Sequence, residues 1–353
     1  MTQSLAVKEM AESAGHQVVS VVLGMGPRRT VPPFFASGMK MPVCRIPTLE
    51  FRSRHNRQIH LPSTIAGAAR QFPAYARALR TLHQQVRESR PDVIVNFFEP
   101  LTALFAATCR RRPPVVAVGH QFLCNHPDFV RSTEMRGQQR FLRRYVQFMG
   151  TASHKLALSF YPAADRPRNK LTVCPPLLRG RVFDLPSTEG DYVLVYLVHH
   201  GYAEQILSWH ERNPAVKLHC FYDKPDAPPE FKHDETLTFH RLDGEKFLTL
   251  MAGCRAVACT AGFETLCEAA WLGRPLFLVP VENHVEQHLN ALDAVRAGLG
   301  VHDTRFNLDR LAELPPRLDN QKIRDWFSQT KSIVLHKLER AVAESAPKTP
   351  QGL

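Results

Sequence analysis

The sequence predicts an α/β protein built from two doubly wound domains, and three observations carry that expectation. Helix-period and strand-period segments alternate along almost the whole chain, a pattern that asks for parallel strands covered by helices on both faces. The rhythm breaks once, between Cys174 and Asp191, in a stretch of prolines and glycines with no period. The 353 residues are enough for two domains, each with its own core.

The elements follow in order. Thr2 to Ala14 reads as an amphipathic helix, with Leu5, Ala6 and Met10 on one side and Gly15 as its C-terminal stop. Gln17–Leu23 is a buried-strand run, Ser63–Glu88 a long helix, and Asp92–Asn96 a second strand after Pro91. Glu99–Arg110 is helical, Val115–Val118 a strand, Thr133–Met149 a helix, and Lys155–Ser159 and Leu171–Val173 short strands. Beyond the break, strands fit Tyr192–Leu197, Val216–Phe221, Leu237–His240, Ala256–Cys259 and Leu276–Val279. The helices between and after them fit Ala203–Glu211, Glu245–Ala252, Glu264–Leu272 and Val285–Ala297. One long helix, Asp319–Glu344, is expected to cross back onto the first domain. The predicted division is an N-terminal domain over 1–177, a linker over 178–190, a C-terminal domain over 191–318, the returning helix over 319–344 and a disordered tail over 345–353.

The chain opens directly on a helix. In a doubly wound sheet the first strand lies centrally, between strands that follow it on either side. Omitting it would leave two rows of backbone donors and acceptors unpaired in the interior, at about 1–3 kcal/mol each. Either this domain is built differently or the protein begins upstream of Met1, and the second is the expectation.

Composition narrows the function classes. Residues 1–150 hold 21 Lys and Arg against 8 Asp and Glu, so essentially all of the formal charge of +12 belongs to this half. Such a half can face phosphates, an anionic acceptor or a membrane leaflet, or it can be a solvated face. Arg110-Arg111-Arg112 and Arg140…Arg143-Arg144 lack the interleaved aromatics of a single-strand platform, which argues against nucleic acid. No apolar run reaches the roughly 18 residues of a membrane span, and no secretory signal is visible. The eight cysteines are scattered without a C-x-x-C pair, which disfavours a zinc knuckle and fits reduced thiols in a soluble cytosolic protein.

The most informative segment runs from Cys259 through Thr260, Ala261, Gly262, Phe263, Glu264 and Thr265 to Glu268, then Gly273-Arg-Pro275, Pro280, Glu286-Gln287, Asn290-Ala291 and Gly298. It reads as a strand, a small-residue turn and a helix beginning near Phe263. A helix N-terminus offers free N–H groups and a positive dipole end, which suits a diphosphate. Ala261-Gly262 lets that backbone approach closely, Thr265 adds a hydroxyl, and Glu268 can accept two hydrogen bonds from a ribose diol. Glu286 and Gln287, at the start of a later helix, can read sugar hydroxyls. The plain structural alternative is an ordinary βαβ unit with a glycine turn.

This ordered set resembles the donor-site signature of GT-B glycosyltransferases, similar to that of the peptidoglycan N-acetylglucosaminyltransferase and the UDP-glucuronosyltransferases. Tyr196-Leu-Val-His-His-Gly-Tyr-Ala-Glu204, Lys217-Leu-His-Cys-Phe-Tyr-Asp-Lys224 and Met251-Ala-Gly-Cys254 resemble more narrowly a bacterial family of uncharacterised GT-B glycosyltransferases, over nearly the whole chain. The resemblance implies two Rossmann-like domains facing across a cleft. It also implies transfer of a sugar from a nucleotide diphospho-sugar to an acceptor, without metal or other cofactor and with inversion at C1. Gly262, Phe263, Glu264 and Thr265 would cradle the diphosphate, Glu268 the ribose, and Glu286 with Gln287 the sugar. Thr260, Ala261 and Asn290 complete the matched set. The His240-Arg241-Leu242 segment would read the base through its backbone, and the loop His199-His200-Gly201-Tyr202 would add a phosphate contact. Adjacent His199 and His200 point to opposite sides of an extended stretch and do not suit one shared ion. Relatives typically carry a first strand and a Gly-x-Gly-Arg-Gly-His-type loop ahead of the Thr-Gln that here is Thr2-Gln3, with a candidate acid/base histidine that this sequence lacks. The implied setting is cytoplasmic, at the inner membrane face, in the synthesis of cell-envelope glycans.

Sugar transfer needs a group to take the acceptor's proton. His120, in Gly119-His120-Gln121 after a strand, is the first candidate; a loop histidine satisfied by backbone is its plain alternative. Glu99, in Asn96-Phe-Phe-Glu-Pro100, is the second; a helix-start carboxylate is its alternative. His126 and Asp128 rank lower on the same rim. Phe34-Phe35 and Phe97-Phe98 suit an apolar acceptor channel or, more simply, core packing. Arg28-Arg29 and Arg52…Arg54…Arg57 can grip a lipid-linked or otherwise anionic acceptor or touch a membrane. A nucleotide-sugar 2-epimerase, a non-catalytic nucleotide-sugar-binding protein and a basic DNA-binding module are the competing classes.

Overall fold

The computed structural model describes residues 1–26, 30–48, 53–54, 58–59, 71–150, 154–186, 188–197, 200–224 and 226–345. Arg28, Arg29, Arg52, Arg57, residues 63–70 of the expected long helix, His199 and the tail from 346 lie outside the described residues.

The first domain begins with α1 (Thr2–Ser13), which Gly15 terminates at φ +85°. There follow β1 (Val21–Gly24), α2 (Pro33–Met39), β2 (Val43–Ile46) and a small hairpin of β3 (Ser53–Arg54) and β4 (Gln58–Ile59). Next come α3 (Phe72–Ser89), β5 (Ile94–Asn96), α4 (Pro100–Thr108), β6 (Val115–Val118), α5 (Arg136–Met149), β7 (His154–Leu158), β8 (Leu171–Cys174) and α6 (Gly180–Asp184). β5 to β8 form one parallel sheet in sequence order, while among the described residues β1 and β2 pair only with each other. β6 shows why the sheet is parallel: Val-Val-Ala-Val is buried along its whole length, as a strand covered on both faces must be.

The second domain runs β9 (Tyr192–Leu197), α7 (Ala203–His210), β10 (Lys217–Tyr222), β11 (Glu230–Lys232), β12 (Leu237–Arg241), α8 (Gly244–Gly253) and β13 (Ala256–Cys259). It continues with α9 (Phe263–Trp271), β14 (Leu276–Leu278), α10 (Val285–Arg296), β15 (Gly300–His302), α11 (Gln321–Phe327) and α12 (Thr330–Ser345). Its sheet has the order β11-β12-β10-β9-β13-β14-β15, parallel except for the edge strand β11. The chain order reverses beside β9, so the carboxyl ends of β9 and β13 flank the natural crevice of such a sheet. One apolar cluster joins the two domains, running from Phe122 and Leu158 to Phe263 and Leu266. Among the described residues no helix is long and apolar enough to cross a membrane.

The structure departs from expectation in four places. The strand expected over Gln17–Leu23 starts only at Val21, because its ladder extends only as far as its partner Val43–Ile46. The expected long final helix is two helices. Trp326 Nε1 donates to the Ser159 carbonyl (3.0 Å) and Thr330 Oγ1 to the Pro176 carbonyl (3.2 Å), pinning the chain on both sides of the break. From there α12 packs on α1, β6 and β8. The segment read as linker contains α6, which buries Val182. The short elements α2, β2, β11 and β15 carry too few residues to establish a period in the sequence.

Gly300 sets the spacing of β14 and β15: a Cβ there would lie 1.9 Å from the Leu276 carbonyl oxygen. Gly300→Ala is expected to lower unfolding stability by at least about 1–3 kcal/mol, read as an earlier midpoint in urea denaturation.

Candidate functional site

The site is built on the β13–α9 junction. β13 and the two residues after it, Thr260 and Ala261, are fully buried, and the Thr260 hydroxyl has no partner among the described residues. The chain then turns tightly, with the Gly262 N–H donating to the Thr260 carbonyl at 2.7 Å. Gly262 is the N-cap of α9 and has no side chain to cap it. A helix leaves its first N–H groups without intrahelical acceptors, so the amides of Phe263, Glu264 and Thr265 remain open. Three other helices are closed at this point by side chains: Glu99 caps α4, Asp243 caps α8 and His284 caps α10. A Cβ at Gly262 would meet nothing within 4 Å, so the turn faces open space.

Both domains contribute to its surroundings. The Phe263 ring is buried, stacked on His120 with centroids 3.9 Å apart and tilted against Phe160 at 4.8 Å. The Thr2 hydroxyl donates to Glu264, and Gln121 Nε2 donates to Glu286 Oε1 at 3.0 Å. Burial pushes the Glu286 carboxyl above the usual range, opposed by that hydrogen bond. Asn290 Nδ2 holds the Ala261 carbonyl (3.0 Å), and Gln287 Oε1 accepts from the Val281 amide (2.9 Å). These two amides shape the turn and the start of α10. Tyr161 donates to Asp293 on α10, sealing the same seam further along.

Several residues singled out in the sequence sit differently from expectation. His120 is 3% exposed, with Nδ1 2.7 Å from the Leu158 carbonyl and its face against Phe263. Loss of solvation lowers its pKa to about 4, so it is a neutral packed ring and not a base displayed on the cleft wall. Glu268 is also buried, and both its oxygens are taken by Arg179, at 2.6 and 2.8 Å. Its carboxylate is thus committed to an ion pair in this arrangement instead of standing open for a ribose. Arg179 lies in the aperiodic stretch, where no period marks it out; an arginine directly after Pro-Pro-Leu-Leu is the available signal. Tyr202 packs its ring in the core against Phe306, so only backbone of the Gly201-Tyr202 segment can face a ligand. Arg241, the last residue of β12, and Leu242 after it are exposed, while His240 before them is buried. His126 is buried with Nε2 2.9 Å from the Ala164 carbonyl, which removes it from the rim.

Glu99 stays at the opening. Its Oε2 accepts from the Thr102 amide (2.6 Å) and its Oε1 from the Thr48 hydroxyl (3.0 Å). With Phe98, Tyr145 and Glu286 it lines one end of a cavity of about 1250 Å³. Phe98 adopts φ +57° and packs edge-on against Phe122 and Tyr145, so it serves both packing and lining. Among the described residues no three His, Cys, Asp or Glu side chains gather as a metal-holding group.

Over residues 5–318 the sequence matches the family model of glycosyl transferase family 1. The chain belongs to this family. It is a glycosyltransferase, and its two-domain α/β architecture is GT-B. Similar solved structures include Arabidopsis thaliana UGT89C1 complexed with UDP-L-rhamnose, at TM-score 0.59 and 13% identity over 98% of this chain and 95% of that one. The glycotransferase of kitacinnamycin follows at TM-score 0.56 and 15% identity, covering 97% and 90%. The glycosyltransferase SnogD from Streptomyces nogalater has TM-score 0.53 and 16% identity, covering 98% and 95%. At these identities the likeness shows the fold. No curated protein matches the chain.

The Tyr161–Asp293 contact carries a pH signature. Desolvation raises the Asp293 pKa from 3.8 to about 6, and its buried Oδ2 has no partner among the described residues. Between these values the folded chain holds a proton that the unfolded chain has released, so this residue's contribution to stability is lost as pH rises from about 4 to about 6. Asp293→Asn is expected to flatten the stability–pH slope in that window, measured by urea denaturation at successive pH values.

Proposed function

We propose that the glycosyltransferase binds a nucleoside diphosphate sugar with its diphosphate on the open N-terminus of α9 and passes the sugar to an acceptor entering past Glu99. One observation supports this above others: a glycine-capped helix start with three free amides facing open space, between two domains. Backbone amides and the dipole end of α9 would stabilise the charge that develops on the leaving diphosphate, so the proposed reaction proceeds without a metal. The UDP-L-rhamnose complex of the Arabidopsis relative lends support to a nucleoside diphosphate donor. Glu286 and Gln287 would face the sugar, Arg241 and Leu242 the base, and Gly201-Tyr202 a phosphate through backbone.

In this scheme the acceptor oxygen forms a bond to C1 as the C1–oxygen bond to the diphosphate breaks, with inversion. The acceptor's proton passes to Glu99, which borders the cavity, whereas His120 is packed away from it. An anionic or lipid-linked acceptor is favoured by the outer face of α5. There Arg136, Arg140 and Arg144 are exposed beside Phe141 and Phe148, a combination suited to the inner face of a membrane.

Gly262→Val tests the donor site cleanly, because the added carbons enter space that is empty in the unliganded chain. The expected result is a melting temperature within about 1 °C of the parent without ligand. The parent alone should then be stabilised by UDP or TDP, by about 2.7 kcal/mol at a hundredfold excess over Kd. An undiminished ligand shift in the variant would place the diphosphate elsewhere.

A further inference from the structure

Arg179 lies where a bound nucleotide has to cross. In the donor site proposed above, the diphosphate rests on the start of α9 and the base against Arg241 and Leu242, just ahead of α8. The ribose between them therefore falls between the starts of α8 and α9, and the Arg179 guanidinium spans that interval. Its Nε and Nη2 donate to the two carboxylate oxygens of Glu268 on α9, at 2.6 and 2.8 Å. Its Nη1 is 3.5 Å from the Gly244 carbonyl, and a Cβ on Gly244 would lie 3.3 Å from the same nitrogen. Glu268 follows Thr265, the last of the open amides, by about one turn.

A ribose 2′-hydroxyl is recognised most strongly by a carboxylate that accepts its hydrogen bond. Glu268 is 4% exposed, and both its oxygens accept from the guanidinium. The carboxylates nearby are engaged as well: Glu264 accepts from the Thr2 hydroxyl, and Glu245 faces Arg181 at 3.8 Å. What reaches the surface is Arg179, whose side chain is 24% exposed. Some of its N–H groups serve Glu268 and the Gly244 carbonyl, and the rest remain as donors. The ribose ring oxygen and 3′-hydroxyl satisfy such donors as well as a 2′-hydroxyl does.

We propose, resting on that donor site, that Arg179 closes the ribose position to 2′-hydroxyl recognition, so that the chain takes ribo- and 2′-deoxyribonucleoside diphosphate sugars alike. The residue sets nucleotide specificity through Glu268, without touching the transferred sugar. A ribose that displaced the guanidinium would exchange a buried ion pair for neutral hydroxyls and leave both charges without their partner. The planar fork is what occupies both oxygens at once; an ammonium is a point charge and leaves one of them open.

Isothermal titration calorimetry of the full chain with UDP and with 2′-deoxy-UDP isolates that hydroxyl, since base, diphosphate and 3′-hydroxyl are shared. On the parent chain the two dissociation constants are expected to agree within about threefold. Arg179→Lys frees one Glu268 oxygen and Arg179→Ala frees both. Each variant is expected to bind UDP at least about tenfold more tightly than 2′-deoxy-UDP, the worth of one hydrogen bond to a charged group. The lysine variant keeps a cation beside Glu268 and carries the test if the alanine variant does not fold. Lost packing alone lowers both affinities together and leaves their ratio unmoved. A parent that already prefers UDP by about tenfold would overturn the proposal and leave the donor site standing. A ratio near one in the folded lysine variant would do the same. Binding of neither nucleotide to the parent would remove the donor site itself, and this proposal with it.

Discussion

The structure depends on a constraint at the start of α9: this helix end must be fastened to the other domain and yet remain open. Phe263 and Gly262 divide the task. The Phe263 ring packs against His120 and Phe160 of the first domain, aromatic contacts worth about 0.5–1.5 kcal/mol each beyond buried area. Gly262, one residue earlier, presents no side chain, so the free amides behind it remain uncovered. A capping side chain would fill the anion site, and a small residue at 263 would loosen the helix from the facing domain. The same seam is continued by Gln121 on Glu286, Tyr161 on Asp293 and Trp326 on the Ser159 carbonyl.

His120 has a defined place in this arrangement. A protonated imidazole under Phe263 would be a buried charge without a partner, and burial lowers its pKa to about 4. At neutral pH the ring is therefore an apolar plate with one hydrogen bond to Leu158, suited to holding the seam. Glu268 and Arg179 do comparable work from the other side, tying the segment after β8 to α9 through two charge-assisted hydrogen bonds. Residues resembling a ligand-binding list in sequence thus divide into those that hold α9 in position and those that stay open on its end.

The legibility of the sequence followed from how each residue's role is encoded. β6, β9 and β13 are apolar runs bounded by turn residues, and their buried parallel ladders need nothing more to be recognised. The β13–α9 turn was legible because small residues between a strand and a helix have few other uses. Burial of individual polar side chains was not legible. Whether His120 or Glu268 meets solvent depends on which residue of a distant segment lies against it, Phe263 in one case and Arg179 in the other. The break between α11 and α12 was hidden for the same reason, since Trp326 and Thr330 are fixed by carbonyls more than 150 positions away in sequence.

The central claim concerns three peptide N–H groups, and amide NMR observes them individually. Titrating the perdeuterated, nitrogen-15-labelled chain with UDP or TDP should move the Phe263, Glu264 and Thr265 resonances downfield together, along one binding curve. The caps of α4, α8 and α10 should stay nearly still. Saturable binding that leaves those three resonances in place would contradict the account, because the diphosphate would then rest on some other part of the molecule.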